Sequence, residues 1–419
     1  MEQEMKVVLL NTYSRTGGAA VAAVRLLRAL EKQGVSVQMC VLHKERGDKL
    51  IESVEKSHCA RFLNRIRFYW ERMVIFLHNH FNRSQLFRVS IANTGIDISG
   101  MPCVKEADVI HLHWINQGFL SLTDIKRLVA LGKPIVWTMH DMWPCTGICH
   151  HARDCQSFHQ LCGACFYLDS HAAYDLSTRV YRKKQEIYEG ADISFVGCSK
   201  WIASLGRKSA LLRGKRVLDI PNPIDRSLFQ PADKKESREI LSLPRDKKLV
   251  LFGALNVTDE RKGVGYLFKA LPLLGQSVEL VVFGQVKSDI RRLVPVPIHS
   301  LGYLSDEKKI VSLYNAVDLF VTSSLDDNLP NMIMESMACG TPCVGFRTGG
   351  IPEMIDHLVN GYVAEYADEA DLAKGIEWVL GHPDKKELSD ACLAKVRRCY
   401  AEDVVAKQYM NLYGEICHH

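Results

Sequence analysis

Short apolar runs alternate along this chain with segments of helix length, and no other sequence feature constrains the fold as strongly. The run KVVLLN at 6–11 leads through a Gly-rich turn into a segment at 17–33 with helical apolar spacing. Similar runs follow in two series, at 35–42, 107–114, 134–141 and 192–199, and then at 248–255, 278–284, 318–324, 341–346 and 361–366. Runs this apolar are typical of parallel strands covered by helices on both faces, so the sequence predicts an α/β fold.

The two series of runs predict two doubly wound domains, because 419 residues exceed what one hydrophobic core usually spans. Between them, PNPIDRSLFQP at 221–231 holds three prolines in eleven residues, which predicts an extended crossover. We therefore assign 1–221 to an N-terminal domain and 222–399 to a C-terminal domain. Periodicity alone does not say where the last periodic segment, about 400–416, packs.

Charge and hydropathy exclude several classes of protein. A formal net charge of +5 is small for this length and does not indicate a nucleic acid partner, which usually demands a concentrated basic face. The first residues, MEQEMKVVLLN, carry two acids and run directly into a strand pattern, unlike a basic, apolar signal peptide. No stretch approaches 18 uninterrupted apolar residues. We therefore expect a cytoplasmic protein without a membrane span.

The first candidate ligand site is the turn Thr16-Gly17-Gly18-Ala19, between the first strand and its helix. Two glycines let the backbone approach a ligand, and a helix N-terminus offers N–H groups to an anion. The turn lacks the GxGxxG dinucleotide pattern. A tight turn without a ligand explains it equally well.

The second candidate consists of polar residues at the ends of two strands, His113 and the pair His140-Asp141. In an open parallel sheet, ligands bind beyond the carboxyl ends of the strands. We predict a functional role for His140, because it ends an apolar strand and Asp141 follows at once. For His113, a histidine that is merely hydrogen-bonded is an equal alternative.

The third candidate lies in the second half, where Phe252-Gly253-Ala254 ends a strand and Arg261-Lys262-Gly263 is expected to open a helix. Adjacent cations at a helix start oppose the helix dipole, so an anion such as a diphosphate would compensate them. A solvated charge pair is the competing explanation.

The most informative segment runs from Ser323 to Pro342, where a strand delivers Asp326, Asp327 and Asn328 into a loop. Acids near a helix start agree with the helix dipole, so a simple acidic cap explains the two aspartates. Glu335, however, lies on an otherwise apolar helix face, and buried carboxylates rarely lack a partner.

These motifs together resemble family 4 of the retaining glycosyltransferases. The resemblance rests on the Gly-rich first loop, the strand-end His140-Asp141, the RKG at 261–263, and Asp327-x7-Glu335 followed by MACGTP at 337–342. It extends to PNPIDRSLFQP at 221–231, GGIPEMI at 349–355 and NGYVAEY at 360–366. It implies the GT-B fold, in which two Rossmann-like domains face a central cleft. It also implies that the C-terminal helix, about 400–419, returns to the N-terminal domain.

The resemblance implies a role for each motif residue. Arg261 and Lys262 would hold the donor diphosphate without a catalytic metal, and Glu335 would accept hydrogen bonds from the ribose. The family's first acid, which contacts the donor sugar, is here Asp327 instead of glutamate, and Asp326 is an alternative for this contact. Pro330 replaces a glycine and cannot donate a backbone N–H.

The remaining implied residues complete three sets, which are catalytic, acceptor-side and donor-binding. His140 would meet the transferred sugar and is catalytic together with Asp327 and Glu335, whereas His113 and Asp141 belong to the acceptor side. The donor-binding set is Gly17, Gly18, Gly253, Arg261, Lys262, Asn328, Leu329 and Glu335.

A cysteine cluster stands apart from these motifs. Cys149, Cys155, Cys162 and Cys165 end in a CxxC and are interspersed with three histidines. Four thiolates can form a closed tetrahedral zinc site, so we predict a structural zinc, with free thiols and then disulfides as alternatives. A similar cysteine insertion occurs in a bacterial exopolysaccharide branch of the family.

Residues 60–89 mix six arginines with aromatic side chains. A basic, aromatic helix can lie in a membrane interface, which the family's frequent lipid-linked acceptors favour. A helix packed on the first domain with its arginines exposed is the alternative.

The sequence therefore predicts a GT-B enzyme that transfers a hexose from a nucleotide sugar, expected to be a UDP-sugar. The expected acceptor is a saccharide or lipid-linked saccharide, and the expected process is surface polysaccharide or capsule synthesis. It would be cytoplasmic or peripheral on the inner membrane face. A sugar-nucleotide epimerase and a catalytically silent binding module are rivals with the same fold. A nicotinamide oxidoreductase is a distant third.

Overall fold

A computed structural model describes residues 5–45, 47–285, 294 and 296–417. The chain divides into two compact units. One runs to Pro221 and resumes at Ala406, and the other is Asn222–Val405. The acidic residues of the N-terminus and the last two residues of the predicted C-terminal helix lie outside the described residues.

The first unit contains a parallel sheet of seven strands in the order β3-β2-β1-β4-β5-β6-β7. Its strands are β1 (Lys6–Tyr13), β2 (Ser36–His43), β3 (Ile51–Ser53), β4 (Val109–Leu112), β5 (Ile135–Met139), β6 (Ile193–Gly197) and β7 (Arg216–Asp219). Its helices are α1 (Gly18–Lys32), α2 (His58–His78), α3 (Pro102–Glu106), α4 (Leu122–Val129), α5 (Leu176–Tyr188) and α6 (Lys200–Lys208).

The second unit repeats this design with a parallel sheet of six strands in the order β10-β9-β8-β11-β12-β13. Its strands are β8 (Leu249–Asn256), β9 (Glu279–Gln285), β10 (Ile298–Ser300), β11 (Leu319–Thr322), β12 (Cys343–Phe346) and β13 (Gly361–Ala364). Its helices are α7 (Lys234–Ile240), α8 (Val264–Ala270), α9 (Glu307–Ala316), α10 (Asn331–Ala338), α11 (Ile351–Met354), α12 (Glu369–Gly381) and α13 (Lys385–Cys399), after which α14 (Glu402–Cys417) follows.

The predicted α/β architecture with two parallel sheets is confirmed, and burial explains which strands the apolar pattern finds. Central strands such as β5 and β6 are buried at every residue. The pattern does not predict β3, β7 and β10, all three of which lie at sheet edges. Because an edge strand has a neighbour on one side only and these three are half-exposed, they need no continuous apolar run.

The C-terminal helix α14 packs in the first unit through two buried tyrosines. The Tyr413 hydroxyl lies 2.7 Å from Nδ1 of His111, and the Tyr409 hydroxyl lies 2.9 Å from Oγ1 of Thr138. Nε2 of His111 in turn lies 2.8 Å from the Thr138 hydroxyl. These polar groups satisfy one another in the core, so the helix is held in a defined register against β4 and β5.

Within the described residues, no helix is both long and apolar enough to cross a membrane.

We predict that Tyr413→Phe destabilises the first unit by about 1–3 kcal/mol, because His111 then loses a hydrogen-bond partner in the core. Urea unfolding followed by tryptophan fluorescence measures this unit, since five of the six tryptophans lie in it. Tyr303→Phe, at an exposed tyrosine of the second unit, is the matched control. Identical midpoints for Tyr413→Phe and the wild type would contradict a bracing role for α14.

Candidate functional site

In each unit the candidate residues lie where the strand order reverses. The chain runs outward from β1 to β3 in one direction and from β4 to β7 in the other, so β1 and β4 are the neighbours at the reversal. In the second unit the corresponding neighbours are β8 and β11. Open parallel sheets bind ligands in the crevice that forms beyond the carboxyl ends of such strands. The predicted ligand-site residues follow these strands or, for His140 and Asp141, the next strand, except Gly253, which lies within β8.

The Gly-rich turn after β1 precedes α1 directly. Gly17 has φ 92°, a value that L-residues rarely adopt, and no side chain caps the start of the helix. Both the backbone N–H and the hydroxyl of Thr16 donate to Oε1 of Glu45, at 3.2 and 2.7 Å. Glu45, which the sequence patterns do not single out, thereby fixes the turn beside Gly17 and Gly18.

The two predicted histidines after β4 and β5 contact each other. Nδ1 of His113 lies 3.0 Å from Nε2 of His140, and the two rings stack with centroids 5.3 Å apart. His113 is buried and His140 partly so. Since the hydrogen bond needs one donor and one acceptor, the pair is compatible with two neutral imidazoles of fixed tautomer.

Burial keeps these histidines uncharged at neutral pH. Burial lowers the pKa of His140 to about 4, against a smaller opposing effect from Asp141. It lowers the pKa of His111 to about 3 and holds the pKa of His113 well below 6.5. A neutral imidazole at this strand end can still donate or accept one hydrogen bond to a sugar hydroxyl.

Asp141 is held by its own unit. Its Oδ2 accepts from Nε1 of Trp114 at 2.8 Å and lies 2.7 Å from Nδ1 of His150, while Oδ1 accepts from the backbone N–H of Trp143. Burial raises the pKa of Asp141, but the charge and hydrogen bond of His150 and the Trp143 N–H outweigh it and lower the pKa to about 2. These contacts anchor the loop after β5. In the sequence, His150 stands out only as one of the histidines among the cysteines.

In the second unit, Arg261 and Lys262 do not open a helix. They end a short 3₁₀ turn that Asp259 caps, and α8 begins only at Val264. Arg261 pairs with Asp259 at 3.2 Å, and Nζ of Lys262 lies 2.5 Å from Oδ2 of Asp327. The sequence predicts that a ligand supplies the negative charge beside Arg261 and Lys262. In this structure Asp259 and Asp327 supply it.

Backbone contacts hold the turn with Arg261 and Lys262 against the loop with Asp327. The Leu325 N–H donates to the Arg261 carbonyl at 2.7 Å, and the Ser323 hydroxyl donates to the Lys262 carbonyl at 3.1 Å. Gly263 has φ 61°, and a Cβ there would lie 2.0 Å from the carbonyl oxygen of Ser323. This close approach requires glycine, so the RKG motif keeps the cations next to Asp327.

Glu335 has the partner that its buried position requires. It lies on α10, is 8% exposed, and accepts a hydrogen bond of 2.8 Å from the Tyr314 hydroxyl. Asn328 and Leu329, in the loop before the helix, are also buried. Sequence patterns did not identify Tyr314, since nothing in the 3.6-residue period of α9 marks a tyrosine whose hydroxyl reaches a neighbouring helix.

Gly253 has a packing explanation in the structure. A Cβ at this position would lie 2.2 Å from the ring of Phe283 and 2.5 Å from the methyl group of Met332. The glycine therefore lets β8 pass close to both side chains. Its predicted contact with a donor stays a prediction.

No three of the sulfur atoms of the four predicted zinc ligands, all of them described residues, lie within 4.8 Å of one another. A tetrahedral zinc–thiolate site holds its sulfurs about 3.8 Å apart, since each Zn–S bond is about 2.3 Å. Among the histidine, cysteine, aspartate and glutamate side chains of the described residues, the group of three whose ligand atoms lie within 4.8 Å of one another is Cys40, Glu52 and Cys103. Burial raises the pKa of Cys162 to about 11 and that of Cys165 to about 12. The zinc site stays a prediction.

We predict that the first unit loses stability in acid through its buried histidines. The folded pKa of His111, about 3, lies below its ordinary 6.5, so unfolding is accompanied by proton uptake between these values. The contribution of neutral His111 is complete above pH 6.5 and is lost as the pH falls towards 3.

The amide of His111→Gln keeps one hydrogen-bond donor and one acceptor. This variant should therefore take up fewer protons on unfolding than the wild type, by up to about one per molecule, and its free energy of unfolding should depend less on pH. Urea midpoints by tryptophan fluorescence between about pH 7 and about pH 4.5 measure the slope. His58→Gln, at an exposed histidine of α2, should retain the wild-type slope. The same slope in all three proteins would contradict the linkage.

Comparisons with known proteins agree with this fold. The Escherichia coli K12 protein described as the putative colanic acid biosynthesis glycosyl transferase WcaC is 24% identical, covering 98% of this chain and all of the relative. An uncharacterized glycosyltransferase of Methanocaldococcus jannaschii is 25% identical, covering 80% of this chain and 82% of the relative. The crystal structure of Anabaena HepE in complex with UDP superimposes with a TM-score of 0.64 at 15% identity, over 98% of this chain and 100% of HepE.

Two family models match the chain. The model described as glycosyl transferases group 1 matches residues 246–382, in the second unit. The model described as glycosyltransferase family 4 matches residues 16–228, which is more than half of the 419 residues. With its two parallel Rossmann-like sheets and its structural neighbours, this chain has the GT-B fold and belongs to glycosyltransferase family 4.

Proposed function

We propose that the protein transfers a hexose from a UDP-sugar to a saccharide acceptor, lipid-linked in the cell, during synthesis of a surface polysaccharide such as a capsule. The observation that carries the donor assignment is the contact between Lys262 and Asp327 at the strand reversal of the second unit. A lysine and an aspartate joined there can separate, the lysine towards a diphosphate and the aspartate towards a sugar hydroxyl.

Two relatives support the choice of substrate. HepE of Anabaena has been solved with UDP-glucose as well as with UDP, which supports a UDP-linked donor here. The name of the Escherichia coli relative WcaC refers to colanic acid biosynthesis, which supports a polysaccharide product.

Each residue of the proposed donor site has its own role. Arg261 and Lys262 bind the diphosphate and provide the positive charge that other folds take from a metal ion. Glu335 accepts hydrogen bonds from the ribose through the carboxylate that Tyr314 orients. Asp327 contacts the sugar, while the Gly17–Gly18 turn of the first unit stays a predicted phosphate contact.

The proposed reaction proceeds with retention at the anomeric carbon. The bond from that carbon to the diphosphate oxygen breaks, and a bond to the acceptor hydroxyl oxygen forms on the same face. The hydroxyl proton passes to the departing diphosphate. Arg261 and Lys262 stabilise the negative charge that develops on the leaving oxygen, and neutral His140 donates or accepts a hydrogen bond at the transferred sugar.

We predict that Lys262→Ala weakens UDP binding at least about tenfold, because a charge-assisted hydrogen bond contributes about 1.5–3 kcal/mol. Isothermal titration with UDP measures the change. Lys269→Ala removes a largely exposed cation from the following helix and is the matched control. Equal affinity in the wild type and both variants would remove the diphosphate site.

Asp327→Asn tests the other partner of the same ion pair. With the carboxylate gone, Lys262 no longer divides its charge between Asp327 and the diphosphate, so UDP affinity should stay equal or rise. The preference for UDP-glucose over UDP should fall, because the sugar loses its carboxylate. A parallel loss for both ligands would instead indicate that Asp327 only maintains the loop.

We predict that His140→Ala lowers turnover by about 10²–10³-fold, the usual scale for one lost transition-state hydrogen bond, with little change in UDP affinity. Turnover is measured as sugar transfer to acceptor, with donor hydrolysis and epimerisation followed in the same samples. A lowered melting temperature with unchanged turnover per folded molecule would mark His140 as structural. Interconversion of donor sugars without transfer would favour the epimerase.

A further inference from the structure

The solvent-facing side of α2 carries large apolar side chains. Phe62 is 63% exposed and Trp70 is 58% exposed, and five further apolar residues of the helix are at least 45% exposed. Phe81 and Phe87, in the segment that follows α2, are exposed as well. The apolar residues that α2 exposes are Phe62, Leu63, Ile66, Tyr69, Trp70, Met73 and Leu77. So many in one segment mark an interaction surface rather than scattered exposure.

These residues form a continuous stripe. Phe62, Ile66, Trp70, Met73 and Leu77 follow one another at intervals of three or four residues, which places them on one side of a helix. The 21 residues of α2 correspond to a length of about 30 Å. The stripe thus extends along nearly the whole helix.

Buried polar contacts fix the opposite side of α2 to the first unit. Glu71 is 1% exposed and its Oε1 accepts from the backbone N–H groups of Ile91 and Ala92, each at 2.8 Å. Arg72 pairs with Glu71 at 2.7 Å and donates to the Val89 carbonyl at 3.0 Å. Rotating the helix to bury its apolar stripe would break the buried hydrogen bonds of Glu71 and Arg72 to the backbone of residues 89–92, so its orientation is built in.

The charge of this segment is one-sided. Residues 57–89 contain six arginines and a single acid, Glu71, whose carboxylate is buried and paired with Arg72. Arg61, Arg65 and Arg83 are exposed beside the apolar stripe. The chain as a whole carries a formal charge of only +5, so positive charge is concentrated here. The complementary partner is an anionic surface that also accepts apolar side chains.

We propose that α2 and the adjoining residues 79–87 dock the first unit on an anionic phospholipid bilayer, with α2 lying in the plane of the interface. The apolar stripe enters the boundary between headgroups and acyl chains, where tryptophan and tyrosine are favoured, and the arginines contact lipid phosphates. This inference rests on α2 alone and does not depend on the proposed transfer reaction. It restricts the membrane contact that the sequence predicts for 60–89 to one face of α2.

Vesicle sedimentation of the full-length protein without donor or acceptor tests the proposal. We expect binding to vesicles of equimolar phosphatidylglycerol and phosphatidylcholine, and much weaker binding to phosphatidylcholine alone. The combined variant Phe62→Ser, Tyr69→Ser, Trp70→Ser should lower the partition coefficient at least about a hundredfold, since each apolar side chain contributes separately. The triple variant Ile240→Ser, Leu273→Ser, Tyr303→Ser removes equally exposed residues of the second unit and should bind like the wild type.

A second pair of variants tests the charge. Arg61→Glu with Arg65→Glu should lower the partition coefficient at least about tenfold, and added salt should have a similar effect. Arg397→Glu with Lys407→Glu reverses the same number of exposed charges elsewhere and should leave binding unchanged. All replaced residues are exposed, so unchanged circular dichroism and melting are expected in every variant.

Two outcomes would overturn the proposal. One is the absence of binding to anionic vesicles, or binding that the α2 variants leave intact. The other is a dimer in light scattering that the Phe62, Tyr69 and Trp70 replacements dissociate, without vesicle binding, which would assign the stripe to a second copy of the chain.

Discussion

Parallel hydrogen bonding within each sheet governs where chemistry can take place in this protein. Since every strand of a sheet runs the same way, all their carboxyl ends meet at one edge, and the reversal of strand order opens a crevice there. Backbone bonds fix the edge itself. Thr12 donates to the Trp114 carbonyl at 2.8 Å and His113 to the Leu10 carbonyl at 2.9 Å, which ties the ends of β1 and β4 together. The polar side chains that follow these strands are thereby held close to one another.

The two crevices differ in their electrostatics. In the first unit, burial keeps His111, His113 and His140 neutral, and the Tyr413 hydroxyl of α14 lies within hydrogen-bond distance of His111. In the second unit, a charged lysine and aspartate lie in direct contact. A neutral, hydrogen-bonding site suits sugar hydroxyls, whereas separable charges suit a diphosphate, and this contrast is what the proposed division of roles rests on.

Helix α2 departs from the usual arrangement of an amphipathic helix. Its charged residues Glu71 and Arg72 are buried and its aromatic residues face solvent, because the carboxylate satisfies two backbone N–H groups that would otherwise lack partners in the core. A helix that is anchored by polar bonds can expose an apolar stripe without unfolding, and the bilayer proposal uses this property.

The sequence by itself determined the fold class, the two sheets and their central strands, because strands buried on both faces must be apolar throughout. It also predicted a partner for Glu335, since a buried carboxylate cannot remain unsatisfied. Only the tertiary structure decided the edge strands β3, β7 and β10, which are half-exposed and carry no continuous apolar run. It also identified Asp259 and Asp327 as partners of Arg261 and Lys262, His150 as the partner of Asp141, and the tyrosines of α14 as partners of His111 and Thr138. The pairs Lys262–Asp327, His111–Tyr413 and Thr138–Tyr409 join residues 65, 302 and 271 positions apart in the chain. A local pattern reports which residues share a face but not which face meets another.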